Sequence, residues 1–214
     1  MSTLIDVIPV ETLSISFGQV LELSEKHIHA YLKSFSIDRQ VKLKINIHDK
    51  KEAYVREVKA TDLFDWTEDE YAWISIEGVP GGTDVYWHRI EDDWIDPDNP
   101  WWMLDDFRKN NTSIVQFDDK LKKAQQLNRY CAFRRSAGQR GIVNISYGLI
   151  AAAVAELSAG FLYSGDGAWD YEIFPIESKA FLSVYFRPEK AIDPDMAEWS
   201  NRCLEGLEED LPSE

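Results

Sequence analysis

A chain of 214 residues, 44% hydrophobic and 13% aromatic, is long enough to bury a core without staples and too apolar to be a disordered polymer. Its formal charge of −15 sets its average face against anionic lipid and against a nucleic-acid backbone, which disfavours direct DNA, RNA or membrane binding and favours basic partners. Two cysteines, Cys131 and Cys203, are too few for a disulfide framework and lack a CxxC arrangement, so inert thiols in a cytoplasmic protein are expected.

The first nine residues lack the basic and continuous apolar regions of an export signal, because Asp6 interrupts them. Alternation over 12–17 predicts a first strand. From 22 to 35, Leu23, Ile28, Tyr31, Leu32 and Phe35 recur at three- and four-residue spacing after Ser24, which predicts an amphipathic helix. Val41, Leu43, Ile45 and Ile47 alternate with polar residues as a strand with one wet face does. Segments 54–60, 71–77 and 85–90 read as further strands, with a turn over 79–84.

The second half changes period. Asp118 or Asp119 is placed to cap a helix through Leu121, Ala124 and Leu127, and Asn144 or Ser146 to open another through Leu149, Ala152 and Leu157. That second helix is apolar on nearly every side and belongs at the centre of the molecule. Its uncharged run, 141–155, is too short to span a bilayer. Gly160 ends it, 161–163 is a short buried strand, 165–167 is a turn, and 177–186 and 195–207 are closing helices. The expectation is one α+β domain over 1–214: an antiparallel sheet with one helix in the amino-terminal half, a mainly helical second half packed on it, and a frayed acidic tail over 205–214.

The densest chemistry lies between 62 and 106, where fourteen Asp and Glu stand against one basic residue, Arg89, and six of the eight tryptophans are interleaved. Carboxylates steer a basic partner and rigid aromatics supply buried area. Trp73 and Trp87 fall in alternating stretches and are expected in the core. Trp66, Trp94, Trp101 and Trp102 fall among proline, asparagine and dense charge, which predicts loop. The candidate partner surface is therefore Asp65, Trp66, Glu68, Asp69, Asp92, Asp93, Trp94, Asp96, Asp98, Trp101 and Trp102, with packing of these loops onto the body as the commoner alternative.

Other chemistry is thin, and no metal or cofactor is expected. His27 and His29 are two apart on a predicted helix and face different ways, which defeats a shared metal. Asp92, Asp93, Asp96, Asp98, Asp105 and Asp106 offer hard oxygen ligands, but the glycine and glutamate of a calcium loop are missing. Asp166, Asp170 and Glu172 beside Trp169 are the raw material of a carbohydrate hydrolase, with an ordinary tight turn as the commoner reading. From 107 to 141 nine Lys and Arg face only Asp118 and Asp119; the loop expected at 134–141 could hold an anion, yet pairing with the acidic segment, inside the fold or between two copies, is the simpler expectation.

The apolar stretch 141–157 running into 164–171, together with the small, acidic, motif-poor character of the chain, resembles bacterial immunity proteins of polymorphic and contact-dependent toxin systems. The resemblance covers about a quarter of the chain and carries over no functional residue. It implies a binding protein rather than an enzyme, one that neutralises a cognate toxin by occluding a basic surface or active site, a nuclease being the natural target for a surface of this sign. A carbohydrate-acting hydrolase built on Asp166, Asp170 and Glu172 and a homo-oligomeric structural module are the alternatives.

Overall fold

The computed structural model describes residues 3–11, 14–51, 55–92, 99, 101–110, 113–164 and 174–211. Ser16 decides where the first helix starts. The Gln19 amide donates to its hydroxyl at 3.2 Å while the Ser16 amide donates to Gln19 Oε1 at 2.8 Å, satisfying two donors that a helix start otherwise orphans. Helix α1 (Phe17–Ser34) thus begins earlier than its apolar spacing suggests. The strand expected over 12–17 is corrected accordingly: the capping box outweighs the alternation, Phe17 enters the helix, and the first strand, β1 (Thr3–Ile8), lies in the amino-terminal stretch.

Seven strands form one sheet in the order β3-β2-β4-β5-β6-β1-β7, with every neighbouring pair antiparallel. β2 (Leu43–Asp49), β3 (Val55–Glu57), β4 (Glu70–Ile76) and β5 (Thr83–His88) match the alternation of the first half. β6 (Tyr130–Arg135) and β7 (Phe161–Tyr163) come from the second half, so the sheet is not confined to the first. β6 was hidden by its charge, since Arg134 and Arg135 read as loop. In the strand they face opposite ways, and Arg135 is only 6% exposed. Its guanidinium donates to Thr3 Oγ1 at 3.1 Å and Asn144 Oδ1 at 3.0 Å and lies 4.6 Å from the Trp199 ring centroid, contacts that offset the cost of removing a cation from water.

One face of the sheet is sealed. Across five strands, Ile47, Ala72, Val85, Phe133 and Ile5 stand in register as a single row, and each is fully buried. Above them lie α1 and α4 (Gly141–Leu157), whose residues from Ile142 to Ala155 are all buried. An apolar surface all round is what a helix needs when α1, the strands, α5 (Ser178–Val184) and α6 (Pro194–Glu205) enclose it; α7 (Leu207–Asp210) closes the same layer. Neither Asn144 nor Ser146 opens α4: it starts at Gly141, and both side chains are buried within it, Ser146 donating to the Ile142 carbonyl at 2.7 Å.

Among the described residues, helices cover the opposite face at one corner. There α2 (Trp102–Asn110) and α3 (Phe117–Leu127) bury Ile8 and Phe161 beneath Leu104, Phe107 and Phe117, a second and smaller core. Trp102, expected in loop, begins α2. Helix α3 is entered through Gln116 in the left-handed region, φ 55°, without a side-chain cap; Asp118 and Asp119 sit inside its first turn, where the helix dipole favours negative charge.

Candidate functional site

The acidic segment divides into side chains that pair, rings that pack and residues outside the description. Trp66 is a correction. Only 4% exposed, it lies 6.2 Å from Phe17, 4.9 Å from Phe64 and 5.8 Å from Trp87 between ring centroids, so its ring belongs to the inner core and not to a loop. Phe64 and Trp66 alternate inward while Asp65 and Thr67 remain exposed, a period-two signal that the density of charge obscured. Trp101 and Trp102 are half-buried against the second core and Trp101 precedes its helix, so both pack on the body while retaining some exposure. Glu68 is exposed, and its carbonyl accepts from Lys50 Nζ. Asp93, Trp94, Asp96 and Asp98 lie outside the described residues, as do Asp166, Asp170 and Glu172 of the hydrolase alternative. Asp92 closes a short 3₁₀ turn, Ile90–Asp92.

Many carboxylates of this segment already hold a base. Asp65 pairs with Arg129 at 2.6 Å, Asp69 with Lys51 at 2.8 Å, Glu70 with Arg56 at 3.5 Å, Asp84 with Arg134 at 2.5 Å and Asp105 with Arg108 at 2.9 Å. Arg108, Arg129 and Arg134 come from the basic stretch, so the two opposite blocks meet inside the fold. Arg134 answers Asp84, Arg135 is sealed in the core and Arg140 turns toward Asp210, which leaves the 134–141 stretch engaged rather than poised as an anion cradle. His27 lies 3.2 Å from Glu156, and His29 Nδ1 is 3.0 Å from the Arg39 carbonyl, so the two histidines engage different parts of the fold.

A surface that the sequence reading missed lies on the outer face of β2, β4, β5 and β6. Trp73, expected in the core with Trp87, points there; its ring lies over Gly82, where a Cβ would come within 2.7 Å of the indole. Beside it runs a ladder of rings. His48 stacks on Tyr71 at 5.0 Å and 21°, Tyr71 on Tyr86 at 5.4 Å and 26°, and His88 on Tyr130 at 5.0 Å and 25°, while Tyr86 and His88 are 6.2 Å apart. These separations follow the spacing of neighbouring strands, about 4.8 Å, so the rings stand upright with their faces against one another. All are half-buried. Among the described residues no helix lies over β2, β4 and β5 on this face, while Tyr130 of β6, at the end of the ladder, packs against the second core.

Cations and polar groups lock the ladder in place. Arg134 donates to Asp84 Oδ2 from Nε at 2.8 Å and from Nη2 at 2.5 Å, reaches the Tyr86 hydroxyl at 3.4 Å, and lies 5.6 Å from that ring's centroid. Lys50 Nζ lies 5.1 Å over the same ring. Partial burial, reinforced by Asp84, raises the Tyr86 phenol above its ordinary range and keeps it protonated, able to donate as well as accept. Hydrogen bonding to Asp84 raises Arg134 and holds it charged. At one end of the ladder, the residues flanking His88 and Tyr130 in sequence, Arg89 and Arg129, line an open groove of about 460 Å³ with Trp66 and Glu68. Arg129 is held there by stacking 4.2 Å from the Trp87 ring.

Such a surface offers fixed aromatic area, phenol groups and anchored cations, the composition of a recognition patch. Alternation of Tyr71 with Trp73 and of Asp84 with Tyr86 and His88 was readable in the sequence, but which face the helices cover was not. Comparison with protein-family models, with curated proteins and with solved structures finds no match for this chain.

Proposed function

We propose that this chain is a binding protein that neutralises a cognate bacterial toxin by covering one of its surfaces. The observation that carries the reading is the open outer face of the sheet, where Trp73 and the His48-Tyr71-Tyr86-His88 rings stand in a rigid ladder that, among the described residues, no helix covers over β2, β4 and β5. Rigid aromatic side chains with polar tips supply contact area at low entropic cost. Burying them against a partner gains apolar area that the isolated fold leaves wet. The charge of −15 supplies long-range attraction for a basic toxin, and the resemblance to immunity proteins supplies the biological setting.

Co-expression tests it. A candidate toxic domain encoded next to this gene should arrest growth alone, and this chain should restore growth and co-purify with that domain in fixed stoichiometry. Continued arrest, with no complex by size-exclusion chromatography, overturns the proposal.

A further inference from the structure

We infer that the partner lays a donor-rich basic segment across the tips of the ring ladder, and that the ladder is not a stacking platform for sugars or bases. The inference rests on the binding-protein reading and specifies what its surface accepts. Sugar rings and bases bind aromatic side chains by lying on an exposed ring face. Here the central ring is taken on both faces, His48 covering one side of Tyr71 and Tyr86 the other, and His88 and Tyr130 each cover one face of the other, all at interplanar angles of 21° to 26°. What such upright rings turn outward is edges, with the phenol oxygens of half-buried Tyr71 and Tyr86 among them. Guanidinium, ammonium and amide N–H groups are complementary to those atoms.

Two observations add the cationic character. The protein's own Lys50 and Arg134 already sit 5.1 Å and 5.6 Å from the Tyr86 ring, so this site accommodates cations against its aromatic surface. Beyond the contact, the charge of −15 draws a basic segment in, while the local face is nearly balanced, Lys50 and Arg134 standing beside Asp84 and Asp6. Attraction is therefore long-range and docking is short-range. From β2 to β6 the ladder crosses three strand gaps, about 14 Å, which an extended segment of about four residues covers.

The experiment is a calorimetric titration of the whole chain at constant salt with three probes: an arginine-containing decapeptide, a single-stranded deoxythymidine decamer, and a linear glucan tetrasaccharide. The peptide should bind and the other two should not. Replacing Tyr71→Ala and Tyr86→Ala together leaves net charge unchanged and should weaken the peptide about tenfold, whereas Tyr71→Phe with Tyr86→Phe, which keeps the stack and removes the hydroxyls, should weaken it less. Near-ultraviolet circular dichroism and the melting midpoint establish that each variant is folded. Equal peptide affinity in the alanine variant would show attraction by charge alone and overturn the inference, as would binding of the oligonucleotide or the glucan that the alanine variant loses. In the growth assay, rescue retained by the alanine variant overturns this surface and leaves neutralisation standing. Failure of the unaltered chain to rescue removes the toxin, and the titration then decides the surface by itself.

Discussion

The two faces of the sheet are one residue apart along every strand and have opposite physical fates. The inner row, Ile47-Ala72-Val85-Phe133-Ile5, is fully buried and wholly apolar except for its backbone. The adjacent outer row contains His48, Tyr71, Tyr86, Ala132 and Asp6 and is capped by no helix over β2, β4 and β5 among the described residues. Trp87 and Tyr86 are chain neighbours; one is 2% exposed beneath an arginine, the other half-exposed between a lysine and an arginine. Aromatic content in a strand therefore does not predict burial. The residues that cover it do, and a slip of one position would exchange core and surface entirely.

Breaking the inner row should have the largest effect. Trp87→Ala removes a buried indole that contacts Phe64, Trp66 and Arg129, and should cost about 3–5 kcal/mol in denaturant-unfolding free energy. An outcome near zero would place Trp87 outside the core.

A pH titration probes the same interior. Burial raises the phenols of Tyr31 and Tyr185 and the thiol of Cys131. A folded-state value above the unfolded one stabilises fully below the unfolded value and is lost as pH rises beyond it. Stability should therefore hold through pH 8, begin to fall near pH 9, the ordinary thiol value, and fall further above about pH 10, the ordinary phenol range. Guanidinium midpoints at several pH values check this; a midpoint rising above pH 10 contradicts it. Cys131 should likewise resist thiol reagents until the protein unfolds.

On the outer row the same kind of truncation should cost less. Tyr86→Ala deletes one stacked pair and two cation contacts at a half-exposed site and should cost about 0.5–1.5 kcal/mol, well under the Trp87 effect. Equal losses for both variants in the same denaturation experiment would erase the distinction between the faces. Smallest of all, Asp69→Asn breaks only the exposed pair with Lys51 and should leave the denaturation midpoint unchanged within error.

Much of the architecture was legible because it rests on local period. α1, β2, β4, β5 and α4 were visible in the spacing of apolar residues, and the meeting of basic and acidic blocks was visible in their signs. β1 and β6 were not, because their neighbours lie far along the chain and Arg135 reads as solvent until Thr3, Asn144 and Trp199 surround it. The site was inverted for a related reason. Charge around Trp66 suggested surface, and regular alternation around Trp73 suggested core; the deciding fact, which face α1 and α4 occupy, is tertiary.

The placement of β1 between β6 and β7 has a consequence for how the chain is made. Thr3 meets Arg135 across 132 residues, so β1 leaves the ribosome well before either of its neighbours, β6 and β7, has been synthesised. Until then β1 has to wait unpaired, and the half-sheet β2-β4-β5 waits with one edge open. Synthesis speed and early helper proteins should therefore govern yield, and an affinity tag fused before Thr3 sits next to an interior strand rather than a loose end.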